Sequence, residues 1–238
     1  MKLVMEVRCR HEQLGGKKLY ELCKEKIHNI DDKVGRDKFF DILRRHRLLV
    51  KRRKKYVYTT DSYHRFKVYK NRFKEHLLTK AHQAWVSDIT YVRTNKGFMY
   101  LFLLTDAYSR KIVGWSLSES LAIEGAIKAL KMAMNQCANT QGLIHHSDRG
   151  IQYCCKEYVR VLTEAEIIIS MTEENHCYEN AIAERVNGIL KMEYGLEETF
   201  TDTKRLLKAT EEAVWLYNMQ RPHWSLQLST PHQIHQAA

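Results

Sequence analysis

Two stretches near the start of the chain repeat apolar residues every three or four positions. They cover residues 18–30, with Leu19, Cys23 and Ile27 on one side, and residues 37–49. This spacing is typical of amphipathic helices, and the Asp- and Gly-containing stretch between them predicts a turn. We therefore predict two short helices set at an angle, as in a helix-turn-helix module, although any small helical bundle would give the same pattern.

From residue 85 onward the pattern changes to strands. Three apolar runs rich in β-branched and aromatic residues, 85–92, 98–105 and 111–118, are separated by turns and predict an antiparallel meander. The following segments predict a helix at 120–136, a strand at 143–146, a helix at 156–165, a strand at 167–171 and helices at 179–194 and 202–218. This order predicts an α/β fold with a mixed five-stranded sheet flanked by helices, followed by an irregular tail. Core aromatic side chains are expected at Trp85, Trp115 and Trp215.

Charge divides the 238-residue chain into a basic front and a mildly acidic body. Residues 1–80 hold 24 Lys and Arg against 10 Asp and Glu, whereas residues 81–238 hold 15 against 18. An unbroken basic run consists of Lys51, Arg52, Arg53, Lys54 and Lys55. Interleaved aromatic and basic residues follow it to residue 80, a composition that suits a nucleic-acid-binding module or an ordinary solvated linker. Because no apolar run is long enough for a membrane span or a secretory signal, we expect a cytoplasmic protein.

Three acidic residues occupy positions where surface charges are not expected. Asp88 lies inside the first predicted strand, Asp148 follows the fourth, and Glu184 lies on a predicted helix. A charge within a buried strand is costly unless it is paired or bound to metal, and Mg²⁺ prefers oxygen ligands. We predict a metal site from these three carboxylates, with a surface charge or a helix cap as the competing interpretation of each. Asp106 has the setting of a hairpin turn instead, and we predict a structural role for it.

The helix that carries Glu184 can be oriented from its spacing. At about 100° per residue, Asn180 and Lys191 lie within roughly 40° of Glu184, and the apolar residues lie on the far side. Lys191 is about 10 Å further along the helix axis, which suits a phosphate contact better than a metal contact. Residues that could support the site flank Asp148: His145, His146 and Tyr153.

Five segments of the chain resemble the catalytic OrfB subunit of insertion sequences of family three, which are retroviral-integrase-like transposases. They are WVSDITYV, YLFLLTDAYSRKIVGW, HSDRGIQY, MTEENHCYENAIAERVNGILKMEY and YNMQRPHWSLQLSTP, in the family's order over about residues 80–235. The resemblance implies an RNase H-like core whose Asp, Asp, Glu triad matches Asp88, Asp148 and Glu184, with 35 residues between the last two. Lys191 fills the family's basic position seven residues after the Glu. The stretch EENHCYENA departs from relatives by being more acidic.

The same resemblance implies the chemistry and the domain organisation. Two Mg²⁺ or Mn²⁺ ions held by the triad would serve nicking at the element ends, which releases a 3′-OH, and attack of that 3′-OH on target DNA. A helical DNA-binding region would occupy residues 1–55, a basic and aromatic linker 56–80, and the catalytic core 81–238. Asn180, Lys191 and the run 51–55 are the expected DNA contacts.

The resemblance also implies partners, and two other functions stay open. Relatives act on DNA in the bacterial cytoplasm, associated with the nucleoid, assemble as homo-oligomers on that DNA, and often work with an upstream-frame partner protein or as a frameshift fusion. No membrane partner is implied. The chain could instead be a non-catalytic DNA-binding regulator or a domesticated remnant, which would not need three converging carboxylates. A general RNase H-type nuclease is the third possibility.

Overall fold

The described part of the chain forms two compact units. The computed structural model describes residues 1–31, 33–50, 65–74, 76–173 and 180–237. One unit is formed mainly by Met1–Tyr58, and the other by Thr59–Lys191 and Gly195–Ala238. The basic run 51–55 lies outside the described residues, so its expected DNA contact stays a prediction.

The first unit is a small helical bundle. It contains α1 (Lys2–Arg8), α2 (Gly16–His28) and α3 (Arg36–Arg45). The predicted helices correspond to α2 and α3, whereas the short helix α1 was not predicted. The three helices share one small apolar core formed by Val4, Leu19, Tyr20, Cys23, Phe39 and Leu43.

The second unit is built on one mixed sheet. Its strands are β1 (Ala84–Thr94), β2 (Gly97–Asp106), β3 (Ile112–Ser118), β4 (Ile144–Ser147), β5 (Ile168–Met171) and β6 (Thr199–Phe200). The order is β3-β2-β1-β4-β5, with β6 beside β1. β1, β2 and β3 pair antiparallel, and β4 and β6 pair parallel to β1, as β5 does to β4. The predicted meander and mixed five-stranded sheet are confirmed, and the two-residue β6 extends the sheet.

Helices cover both faces of this sheet. They are α4 (Ile123–Met134), α5 (Ile151–Cys154), α6 (Lys156–Glu164), α7 (Ala181–Glu193), α8 (Thr203–Met219) and α9 (Pro231–Gln236). Trp85 packs with residues of α4 and α6 in the main core, whereas Val86 packs with Ala183 of α7. Because side chains alternate along a strand, Ser87 faces the α4–α6 side and Asp88 faces α7. Within the described ranges, no helix is long and apolar enough to cross a membrane.

The expectation of three core tryptophans is correct for Trp85 and wrong for Trp215. Trp85 is fully buried, but Trp115 is only half-buried and Trp215 is 51% exposed on α8. A tryptophan in an amphipathic helix can lie on either face, and composition does not distinguish them. The tail predicted to be irregular, residues 221–231, contains one 3-10 turn at Trp224–Leu226, and α9 begins at its last residue, where Thr230 caps the helix through a reciprocal bond with Gln233.

Gly114 in β3 lies tightly against the backbone of α4. A Cβ atom on Gly114 would overlap the carbonyl oxygen of Ala129, which the helix backbone cannot move without strain. We expect Gly114→Ala to lower the free energy of unfolding by about 2 kcal/mol, as overpacked cores do. Gly188→Ala in α7, where a Cβ meets nothing within 4 Å, should instead raise it by up to about 1 kcal/mol. Urea unfolding of both variants tests this contrast, and equal stabilities would contradict it.

Candidate active site

The sheet brings Asp88 and Asp148 to the same level on neighbouring strands. β1 and β4 run parallel, and their pairing ends at Val86 opposite His146. Asp88 and Asp148 each follow this pair by two residues, so both side chains point to the same face from strands about 5 Å apart. Glu184 lies in the first turn of α7, the helix that covers that face.

Two asparagines attach α7 to β1 on either side of Glu184. The Nδ2 atom of Asn180 donates to the carbonyl oxygen of Ser87 (3.0 Å), and Nδ2 of Asn187 donates to Oδ2 of Asp88 (2.7 Å). The amide of Glu184 donates to the carbonyl of Asn180 (3.2 Å). These bonds fix the position of Glu184 along β1.

These contacts correct the predicted role of Asn180 and add Asn187 to the site. Asn180 was expected to face DNA, but it is buried and bonds the strand backbone. Its short side chain precedes α7, where the helical angle does not determine its direction. Asn187 was missed, although its position three residues after Glu184 places it on a neighbouring part of the same helix surface.

The loop that carries Asp148 is held by its own backbone and by an arginine. Oδ1 of Asp148 accepts a hydrogen bond from the amide of Gly150 (2.9 Å). The guanidinium of Arg149 donates to the carbonyl oxygens of Thr172 (2.7 Å) and Glu173 (2.6 Å), just beyond β5. The loop is therefore anchored to the neighbouring strand end before any ligand binds.

A buried polar cluster supports the two strands from the opposite face. Nε2 of His145 lies 3.0 Å from Oγ of Ser87 and 2.9 Å from the hydroxyl of Tyr158, and Tyr153 hydrogen-bonds Ser87. Burial lowers the pKa of His145 to about 3 and raises the pKa of both tyrosines. These groups are therefore neutral at pH 7, and they join the strands without facing the Asp88 side of the sheet.

The carboxylates of the site repel one another. Burial, then the charge of Asp148 and more weakly that of Glu184, raises the pKa of Asp88 from 3.8 to about 7, although hydrogen bonds from Asn187 and the Ile89 amide oppose the rise. Burial and the charge of Asp148 also raise the pKa of Glu184. The structure thus holds like charges together, an arrangement that a bound cation would relieve.

The side chains of the site offer the type of ligand atom that a hard divalent cation prefers. The three carboxylates supply oxygen atoms, the ligands that Mg²⁺ prefers. Oδ1 of Asn187, beside Asp88, is buried and has no hydrogen-bond partner among the described residues. In the same part of the chain, no three His, Cys, Asp or Glu side chains lie close enough to hold one ion as they stand.

Lys191 lies near the carboxylates as a partly buried cation. Its Nζ lies 4.7 Å from the centroid of the Tyr91 ring. Burial lowers the pKa of Lys191, whereas attraction to Asp88 and Glu197 opposes that change. The ammonium is thus within electrostatic range of Asp88, and its expected phosphate contact stays a prediction.

Asp106 has the structural role that its sequence setting predicts. Its carboxylate is fully buried and accepts hydrogen bonds from the amide of His82 (2.7 Å) and from the amide (2.8 Å) and hydroxyl (2.7 Å) of Ser109. These bonds cap the β2–β3 turn, and the prediction of a hairpin cap is confirmed. Both carboxylate oxygens of Asp106 are engaged in these bonds, and its side chain is not exposed to solvent.

Known proteins share the sequence of the core unit. Residues 79–177 and 165–231 match two family models described as integrase core domain. An insertion element IS600 uncharacterized 31 kDa protein from Shigella sonnei is 35% identical over 192 residues, which are 80% of this chain and 71% of that protein. Transposase InsF for insertion sequence IS3A from Escherichia coli K12 is 37% identical over 128 residues, which cover 54% of this chain and only 44% of InsF.

Solved structures share the fold. The catalytic core domain of HTLV-2 integrase in complex with magnesium superposes with a TM-score of 0.52 at 21% identity, over 66% of this chain and 97% of that one. A chain in the cryo-EM structure of a simian T-cell lymphotropic virus intasome in complex with PP2A regulatory subunit B56 gamma superposes with a TM-score of 0.56 at 16% identity, over 98% of this chain and 74% of that one. The core is therefore RNase H-like, as expected. Together with the sequence matches, this fold shows that the chain belongs to the IS3 family of insertion-sequence transposases, a family of DDE-type polynucleotidyl transferases.

Proposed function

We propose that this chain nicks DNA at the ends of an insertion sequence and joins the released 3′-OH to target DNA. The observation that supports the proposal most is the convergence of Asp88, Asp148 and Glu184 from β1, the end of β4 and α7. Their mutual repulsion has a cost that a protein selected only for DNA binding would not need to bear. The family's DNA substrates and oligomeric assembly agree with this reaction.

In this proposal, the three carboxylates hold two Mg²⁺ or Mn²⁺ ions. When bound, such ions supply Lewis-acid activation of the attacking oxygen and stabilise the charge of the leaving oxygen. Asn187 holds the carboxylate of Asp88 in one orientation through its 2.7 Å bond. Lys191 would bind a phosphate of the DNA beside the triad.

The remaining partners are proposals drawn from the family. We propose that the chain works in the bacterial cytoplasm on nucleoid DNA, as a homo-oligomer assembled on the element ends. An upstream-frame partner protein, or a frameshift fusion with it, would supply part of the recognition of those ends. The region at residues 1–55, which is rich in Lys and Arg, is the proposed DNA-binding module of this chain.

An assay on DNA from the element itself tests the reaction. Labelled duplexes that carry the ends flanking the gene are incubated with the chain, Mg²⁺ and a second duplex as target. Nicked products with a free 3′-OH, followed by longer joined products, are the expected result. Binding without nicking would favour the regulator, and hydrolysis of unrelated RNA–DNA hybrids without joining would favour a general nuclease.

Removal of the Asn187 amide should change both the rate and the pH profile. Asn187→Leu loses a hydrogen bond to the ionised form of Asp88, which raises the pKa of Asp88 further. We expect strand transfer at pH 7 to fall about tenfold, as for a lost bond to a charged group, and to recover partly at pH 8.5. Asn135→Leu, at the exposed end of α4, is the control and should leave the pH profile unchanged. A uniform loss at every pH would contradict the role assigned to Asn187.

A further inference from the structure

Residues 65–74, here called the edge strap, run beside the free edge of the sheet. β5 is the last strand in the sheet order, so its outer edge has no strand partner among the described residues. An open edge exposes backbone groups that proteins usually cover. Here a segment without regular secondary structure, rich in Lys and Arg, bonds to the side chain of Ser170 in β5.

Hydrogen bonds and ring contacts hold the edge strap in place. Oγ of Ser170 in β5 accepts from the amides of Arg72 (2.9 Å) and Phe73 (3.1 Å). The Phe73 ring lies 5.0 Å from the ring of His146 and packs on the α7 side of the sheet, whereas Tyr69 packs on the α4–α6 side. The strap therefore crosses the sheet edge from one face to the other.

Three basic side chains of the anchored strap are exposed to solvent. Tyr69, Asn71 and Phe73 are half-buried, and the alternate residues Lys70, Arg72 and Lys74 are exposed. Within the described ranges, no carboxylate forms an ion pair with these three side chains. Their Cα atoms span at most about 14 Å, a length along which one DNA strand presents about four phosphates.

The edge strap also lies close to the carboxylates. Phe73 contacts His146, which precedes Asp148 by two residues, or about 7 Å along a strand. The amide of Asn71 donates to Oε1 of Glu173 (2.9 Å), whose backbone carbonyl accepts from Arg149, the neighbour of Asp148. The cations thus stand at the end of the sheet where the acidic site lies.

We propose that Lys70, Arg72 and Lys74 bind the phosphodiester backbone of duplex DNA as it approaches the carboxylates. The acidic site repels DNA, and a line of exposed cations beside it, without ion pairs to the described carboxylates, compensates for that repulsion. The competing interpretation is a solvated surface, which predicts no greater effect from these residues than from other exposed cations of the core. The inference rests on the proposed function, because it assigns the DNA to the same site.

Charge removal at the edge strap tests this inference in the full chain. One variant carries Lys70→Gln, Arg72→Gln and Lys74→Gln, and the control carries Lys128→Gln, Lys131→Gln and Arg160→Gln on the exposed surfaces of α4 and α6. Both lose three positive charges. Binding to element-end and random-sequence duplexes is measured from 50 to 300 mM salt, together with circular dichroism and strand transfer.

We expect the strap variant to bind both duplexes roughly tenfold more weakly at 150 mM salt. The slope of log affinity against log salt should fall by about 2 to 3, since each lost phosphate contact contributes about 0.9. Equal affinities and slopes for the two variants would overturn the strap inference. Absence of strand transfer by wild-type protein would contradict the proposed function instead, and the slopes would still report on the strap.

Discussion

Asp148→Asn is expected to abolish strand transfer while the protein stays folded and bound to DNA. The substitution keeps the size of the side chain and its contact with the Gly150 amide, but removes one of the three charges that would hold the ions. We expect the Mg²⁺-dependent rate on element-end duplexes to fall by at least about a thousandfold, since removal of one essential catalytic group typically costs that much. Gel assays of the joined products give the rate.

The fold should not suffer from this change. The charge of Asp148 raises the pKa of both Asp88 and Glu184, so its removal relieves repulsion in the metal-free protein. The thermal midpoint should therefore stay equal to that of wild-type protein or rise. Glu119→Gln, at an exposed site, is the matched control for loss of one acidic charge and should keep full activity. A folded, DNA-binding Asp148→Asn protein that still joins DNA would contradict the proposed function.

Asp88→Asn is expected to stabilise the metal-free protein at neutral and alkaline pH. The folded carboxyl keeps its proton up to a pKa of about 7, whereas the unfolded one loses it near 3.8. Between these values the folded state binds more protons, so the free energy of unfolding falls as pH rises and levels off above pH 7. Across this pH range the wild-type protein loses at most about 4 kcal/mol of its free energy of unfolding. Asparagine does not titrate, so Asp88→Asn does not undergo this loss.

Unfolding in urea at pH 5 and pH 8, with EDTA present, measures this difference. The free energy of unfolding of Asp88→Asn should exceed that of wild-type protein by more at pH 8 than at pH 5. Added Mg²⁺ should then raise the stability of wild-type protein at pH 8 and leave the variant nearly unchanged, because the ion binds the ionised carboxylate. Parallel pH curves for the two proteins would contradict the raised pKa.

The elements of the core were predictable because their signals are local. Apolar runs, turn residues and helical spacing gave each strand from β1 to β5 to within a few residues, and the positions of α4, α6, α7 and α8. The shortest helices and strands were not predicted. A helix of four residues such as α5, or a strand of two such as β6, has too few positions to show a period.

The candidate site was only partly predictable. The types and order of Asp88, Asp148 and Glu184 follow from the chemistry of oxygen ligands and from the family motifs. The bond between Asn187 and Asp88 joins residues 99 positions apart, and no local pattern indicates it. The direction of Asn180 likewise depends on where the backbone of Ser87 passes.

The sequence by itself determined the family, the order of the core elements, the three acidic residues and the division of charge between front and body. These properties reside in residue identity and in short-range periodicity. Only the tertiary structure decided that residues 65–74 bond to β5, that Asn187 holds Asp88, and that burial raises the pKa of Asp88 to about 7. Each of these depends on burial and on contacts between distant segments, which exist only once the chain has folded.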